Sequence, residues 1–171
     1  MRRLTTRHRR CLATPMTDTV SDRLAALAIT LPEPAAPVAA YVPALEAGGM
    51  LYISGQLPFR EDGSLISGRL GQDLDADHGR AAAERCGIML IAQMRKALGS
   101  LERVERIVKL GAFIASDPHF TDQPKVANGA SELMEKVFGE AGRHARSAVG
   151  VPVLPLGAAV EIDAIVAVRA G

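Results

Sequence analysis

Tryptophan is absent from this chain, and four phenylalanines and two tyrosines make up its whole aromatic content, 4% of the residues. So few aromatic faces leave little for base stacking, which weighs against a single-strand nucleic-acid binder. Cysteine is scarce too. Cys11 and Cys86 stand far apart with no CxxC, which excludes a disulfide framework or a zinc knuckle and suits a reducing cytoplasm. No apolar run reaches the roughly 18–20 residues that a membrane span needs. There is no glycine-rich dinucleotide or Walker A loop, no GxSxG elbow, no HExxH and no EF-hand loop. The four histidines, His8, His78, His119 and His144, have no metal-ligand spacing. Each reads as a solvated or capping residue, and His144 stands out only because it lies two residues before Arg146.

What is present suits one domain. The length is 171 residues, 48% of them apolar and 23% charged, enough to bury a core and keep a charged surface. The net charge of +1 conceals an asymmetry. Residues 1–15 hold five arginines and no acid, which leaves 15 basic against 19 acidic residues in the remainder. The body is therefore mildly acidic and offers no broad nucleic-acid surface. The basic start reads as a targeting peptide, a basic arm, or an upstream extension of a chain that properly begins at Met16. On each reading it lies outside the fold, and residues 16–171 form the single domain.

Along the chain, Ser21–Ala28 reads as a short helix with Ser21 as a plausible N-cap. The proline-rich Leu31–Pro37 is a connector. Two apolar runs around "EAGG" predict a β-hairpin, Tyr41–Leu45 with Met50–Ser54. "LPFREDGSLISG" is a loop with a D-G turn. Helical spacing runs from Asp75 to Leu98, with Ala82, Cys86, Met89, Leu90, Gln93 and Ala97 on one face and Gly99 at the end. A strand over about Arg106–Ala115 follows, then a helix over about Pro124–Phe138, with the proline in the first turn. Two strands close the chain, about Ala145–Val153 and Ala158–Val168. The order predicts an α+β fold, a mostly antiparallel sheet with two helices on one face. Strands such as "GMLYISG" and "AIVAV" alternate poorly, so the second face is expected to be covered too, most simply in an oligomer.

Two charges sit inside the final apolar strands, Arg146 and Glu161. A charge in an apolar strand costs several kcal/mol unless it is paired, hydrogen-bonded or near solvent. If "VLPLG" is a hairpin turn, Glu161 lies opposite Val149–Val151, and the two charges stand about 13 Å apart at ~3.3 Å per residue. They then do not pair directly. Either both reach solvent at strand ends, or they flank a small molecule. A guanidinium suits a carboxylate gripped bidentately, and a carboxylate suits a water that it orients and deprotonates.

The stretch "ARSAVGV…GAAVEIDAIV" resembles the C-terminal signature of the reactive intermediate deaminase family, also called RidA/YjgF or L-PSP. "YISGQLP" (Tyr52–Pro58), "AAYVPAL" with Tyr41, and "VANGASELMEKVFGEAGRHARS" with Asn128 resemble further blocks of that family. The resemblance spans about Tyr41 to Val168. It implies a chorismate-mutase-like α+β fold, assembled as a homotrimer with a site in each cleft between subunits. It also implies hydrolysis of enamine or imine acids of the 2-aminoacrylate type to 2-keto acids and ammonia, with no cofactor and no metal.

Carried over by residue, the resemblance has Arg146 hold the substrate carboxylate and Glu161 position the attacking water. Tyr41 lines the cleft, Ser54 and Gly55 offer side-chain and backbone contacts, and Asn128 gives a supporting hydrogen bond. The best-known branch has cysteine where this chain has Ala148, so a thiol role is excluded there and only the Ala148 backbone carbonyl would serve. His144 stands where that branch has proline. These departures leave a second function open, a trimeric module that binds small carboxylates without turning them over. RNA cleavage, an activity attached to the family name, is disfavoured by the acidic body and the lack of paired histidines.

Overall fold

The computed structural model describes residues 19–34 and 40–171. The expectations for residues 1–15, for Met16 as a start and for the end of the proline-rich connector lie outside the described residues.

Helix α1 (Val20–Ala26) is capped by Thr19, not by Ser21. The Thr19 hydroxyl accepts from the Asp22 N–H at 3.1 Å, and the Asp22 carboxylate accepts from the Thr19 N–H at 3.1 Å. This reciprocal box satisfies two otherwise unpaired backbone groups at once, which Ser21 could not do. The hairpin is present but shorter at its start: β1 is Ala44–Ala47 and β2 is Met50–Gln56. Pro43 has no N–H to give a ladder, so the strand begins after it. Ala47 pairs with Met50 across Gly48 and Gly49, whose φ values of +59° and +74° are those a tight two-residue turn requires. Helix α2 (Ala76–Leu98) starts on Asp75, which accepts from the His78 N–H, and stops at Gly99. Next come β3 (Val104–Ala115), α3 (Gln123–Phe138), β4 (Ala145–Val151) and β5 (Val160–Val168). Pro152 ends β4 two residues before the expected limit.

The sheet order is β1-β2-β5-β3-β4. Every pair is antiparallel except β3 and β4, which run parallel. This overturns the expected hairpin between the last two strands. A helix separates β3 from β4, and a strand–helix–strand crossover brings the second strand back beside the first in parallel. The segment after Pro152 then carries the chain past β3, and β5 enters on β3's other side.

The long helices α2 and α3 pack on one face of the sheet, with α1 against α3. Val160, Ile162, Ala164, Val166 and Val168 of β5 are buried beneath them. The helices meet closely: a Cβ on Gly129 of α3 would overlap the Arg80 carbonyl oxygen of α2. The other face carries Glu161, Asp163 and Ile165 of β5, with Lys109, Gly111 and Phe113 of β3 in register beside them. Tyr41, Val42, Leu45, Tyr52 and Val149 are exposed. Among the described residues, no helix is long and apolar enough to cross a membrane.

Candidate functional site

The sheet divides the predicted residues between its two faces. Along β4, Arg146 pairs with Leu110, while Ser147 pairs with Gly111. Leu110 is buried under the helices, so Arg146 lies on the helix side. Along β5, Glu161 pairs with Phe113, which lines the cleft on the open side. Within one chain, Arg146 and Glu161 therefore stand on opposite faces of the sheet, two strands apart. A small molecule between them, for which the expected hairpin register leaves room, is not possible in a single chain. The expected register fails because β3 lies between β4 and β5.

On the helix side, α3 holds Arg146. Its Nη1 donates to Asn128 Oδ1 at 3.0 Å and to Ser131 Oγ at 2.9 Å, and its Nη2 donates to the Pro124 carbonyl at 3.2 Å. A guanidinium has five N–H donors. Both hydrogens of Nη1 and one of Nη2 are thus used, and among the described residues Nε–H and the second Nη2–H have no acceptor. Nε and Nη2 lie on one edge of the group, the edge that takes a carboxylate bidentately. Burial lowers the Arg146 pKa, yet a guanidinium stays protonated at any physiological pH. Asn128 and Arg146 line a polar hollow of about 530 Å³ together with Ser131, His144 and Glu135. Ala148 follows two residues along the same side of β4, packed against the core.

On the open side, Tyr41, Ser54 and Gly55 line a broad cleft of about 1020 Å³ with Phe113, Ser147 and Asp163. Tyr41 is 55% exposed and stands in a bend before β1, not in the strand predicted for it. Ser54 and Gly55 form a bulge, since the β2–β5 register shifts between Ile53 and Gln56. That bulge is braced from behind. The buried Gln93 of α2 donates to Gln56 Oε1 at 3.3 Å, and Gln56 Nε2 donates to the carbonyls of Ser54 at 3.0 Å and Gly55 at 3.3 Å. Ser54 Oγ donates to the Val42 carbonyl at 2.9 Å, which commits its proton to holding the Tyr41–Pro43 segment.

Glu161 lies against this bulge. A Cβ on Gly55 would overlap its carboxylate, so only glycine leaves that space. Asp163, two residues on, lies over Gly111 and accepts its N–H at 3.1 Å. Burial raises the Glu161 pKa, and the like charge of Asp163 raises it further. Burial raises Asp163 too, opposed by the Gly111 bond and by Lys109. Two carboxylates thus share one face with their proton affinity increased, as a proton-accepting group requires.

Sequence reasoning did not select Ser131, Asp163, Lys109 or Ser147. Asp163 carried a signal, its place two residues from Glu161 on one strand face. Ser131 lies three residues after Asn128, on the same helix surface. Cys86 is fully buried, its thiol pushed well up by burial, and its Sγ donates to the Val160 carbonyl at 3.5 Å, so it is packing and not a nucleophile. Among the described residues, no group of three or more His, Cys, Asp or Glu side chains could hold a metal ion.

A family model described as "YjgF/chorismate mutase-like, putative endoribonuclease" matches residues 21–166. The chain is 51% identical over 148 residues to Protein TCP17 of Trypanosoma cruzi, covering 86% of this chain and 92% of that protein. It is 46% identical to the crystal structure of Atu1372 from Agrobacterium tumefaciens, of unknown function, with a TM-score of 0.82 over 90% of this chain and 96% of that one. It is 30% identical to RidA from the Antarctic bacterium Psychrobacter, with a TM-score of 0.57 over 80% and 94%.

Proposed function

Since this chain belongs to the YjgF/chorismate mutase-like family, we propose that it hydrolyses reactive enamine or imine acids to 2-keto acids and ammonia. The observation that carries this reading is the Arg146 guanidinium, fixed by three bonds to α3 with two donors left for a carboxylate. Glu161 supplies the second element, a carboxylate of raised proton affinity set against the Ser54–Gly55 bulge.

Because these groups lie on opposite faces of one sheet, the proposed site forms between copies of the chain. One copy contributes Arg146, Asn128 and the Ala148 backbone from its edge strand and α3. The neighbouring copy contributes Tyr41, Ser54, Gly55 and Glu161 from its open face. A homotrimer with three such clefts fits the exposed apolar side chains on that face, which a monomer would leave in water. We place the reaction in the cytoplasm, with a small imino acid as the partner, no nucleic acid and no membrane.

Arg146 orients the substrate by its carboxylate. Glu161 takes a proton from water as the oxygen attacks the carbon of the protonated imine, giving a neutral carbinolamine. That proton then passes to the amino group, the carbinolamine hydroxyl gives its own proton to Glu161 as the C–N bond breaks, and Glu161 returns it to the departing ammonia, so that a keto acid and ammonium leave. The imine carbon is already electrophilic, so orientation and proton transfers through one carboxylate suffice. A coupled assay tests the reading: an amino-acid oxidase generates imino acids in place, and keto-acid release is followed with and without the protein. Faster release is expected. No acceleration from a folded trimer that still binds pyruvate would leave the non-catalytic carboxylate-binding module.

Two variants probe Glu161. Gly55→Ala places a methyl group where the carboxylate lies. The obstructing atoms are the end of a flexible side chain, so the fold tolerates the change while Glu161 moves aside. We expect kcat to fall by about tenfold to a hundredfold, as misplacement of a catalytic group by ~1 Å produces. Unchanged turnover would show that the carboxylate acts elsewhere or not at all. Asp163→Asn removes the like charge beside Glu161. A base works only when ionised, so activity is lost as pH falls through its pKa. Lowering that pKa moves the acid limb of kcat/KM to lower pH. The shift is partial, because burial is the larger cause and remains. An acid limb that stays in place or moves up would separate Glu161 from the proton transfer.

A further inference from the structure

Behind Arg146 stands a chain of hydrogen bonds that the proposed reaction does not itself require. Ser131 Oγ accepts from Arg146 Nη1 at 2.9 Å and lies 3.0 Å from His144 Nε2. His144 Nδ1 lies 2.6 Å from the Gly142 carbonyl oxygen. A carbonyl only accepts, so Nδ1 carries the ring proton, and in the neutral ring Nε2 is then an acceptor. Ser131 must therefore donate its hydroxyl proton to His144. Its oxygen is left facing the guanidinium as an acceptor, and every bond in the chain runs in one direction.

Two features favour the neutral ring. Burial lowers the His144 pKa, and the Arg146 charge lowers it further; Glu135 and the Gly142 bond oppose them. The geometry also explains the residue types. Asn128 and Ser131 lie one helical turn apart on α3 and approach the same Nη1. His144 precedes β4, where Gly142 in the turn after α3 can reach its ring.

We infer that Ser131 and His144 are positioning residues for Arg146, the imidazole fixing the direction of the Ser131 hydroxyl so that the guanidinium is held with its Nε/Nη2 edge open to a carboxylate. This rests on the reading of Arg146 as the carboxylate-binding group. A long side chain already held in its binding geometry gives up less freedom when ligand arrives, so the effect falls on affinity and not on the chemical step.

The experiment uses the full chain and compares Ser131→Ala, His144→Ala, the double variant and Ser131→Thr with Arg146→Ala. Imino-acid kinetics and calorimetric binding of pyruvate are read for each. Ser131→Ala is expected to raise KM and the pyruvate Kd about tenfold, the effect of losing one hydrogen bond to a charged group, with kcat changed by less than about threefold. Ser131→Thr keeps the hydroxyl and restores affinity. The double variant is no weaker than Ser131→Ala alone, because both substitutions cut one chain. Additive losses, or unchanged affinity in Ser131→Ala while Arg146→Ala abolishes binding, would overturn the inference. A harmless Arg146→Ala would instead remove the functional reading beneath it. The 15N chemical shifts of His144 decide the relay independently: the Nδ1–H tautomer is expected, and an Nε2–H ring would mean that Ser131 is not held as drawn.

Discussion

Replacing Arg146 with alanine is expected to lower kcat/KM for imino acids by roughly 10²–10³-fold, the loss that follows when one partner of a close, hydrogen-bonded charge pair is removed. The protein should remain folded. Arg146 gives three hydrogen bonds to α3, to Asn128, Ser131 and the Pro124 carbonyl, but Asn128 and Ser131 border a hollow open to solvent. Water replaces the lost donors, so the cost in stability is about 1 kcal/mol. Melting and size-exclusion profiles close to wild type, together with lost turnover and lost pyruvate binding, are the expected combination. Arg146→Lys should recover little, because an ammonium is a point charge that cannot bond Asn128 and Ser131 while bridging a carboxylate. If Arg146→Ala unfolds the protein, the arginine is a structural brace between β4 and α3. If turnover survives in the folded variant, the substrate carboxylate is held by another group.

The largest expected effect on stability comes from Gly129→Ala, and its sign is the informative part. By helix propensity alone the substitution would stabilise α3 by about 1 kcal/mol. The new methyl, however, would overlap the Arg80 carbonyl oxygen and approach the Glu84 backbone nitrogen to 3.0 Å. Both atoms belong to the backbone of α2, so neither can turn aside as a side chain does, and the helices must separate. Overpacking of this kind costs about 1–3 kcal/mol and occasionally more. A net loss of ~2 kcal/mol would lower Tm by about 4–8 °C in a domain of this size. Moving α3 also draws Asn128 and Ser131 away from Arg146, so carboxylate affinity should fall with stability. An unchanged or raised Tm would mean that α2 and α3 do not meet as closely as the glycine implies.

Much of the candidate site is legible because it is written in local patterns. The alternation Val160, Ile162, Ala164 against Glu161, Asp163 fixes which side chains share a strand face, whatever the strand pairs with. Asp75 and Gly99 mark helix ends through bonds made within a few residues, and Pro124 does so through its fixed φ in the first turn. Arg146, Glu161, Tyr41, Ser54, Gly55, Asn128 and Ala148 all stand in short motifs. Their division into two groups was not legible. It depends on β4 lying against the distant β3 and not against β5, its neighbour in sequence, a choice that no local period records. The same holds for the Gln93–Gln56 brace behind the bulge, which joins residues 37 positions apart, and for Ser131, whose role exists only because the β3–α3–β4 crossover sets α3 against the edge strand.

By itself, then, the sequence determined the order of elements, the face each side chain would take on its own strand or helix, and the residue types able to hold a carboxylate and move a proton. Those follow from backbone geometry and side-chain chemistry acting over a few residues. Only the tertiary structure decided that Arg146 and Glu161 stand on opposite sides of one sheet, that α3 occupies three of the arginine's donors, and that Glu161 rests on Gly55. Those are outcomes of strand pairing and helix packing, where the burial of a whole apolar face outweighs any local preference.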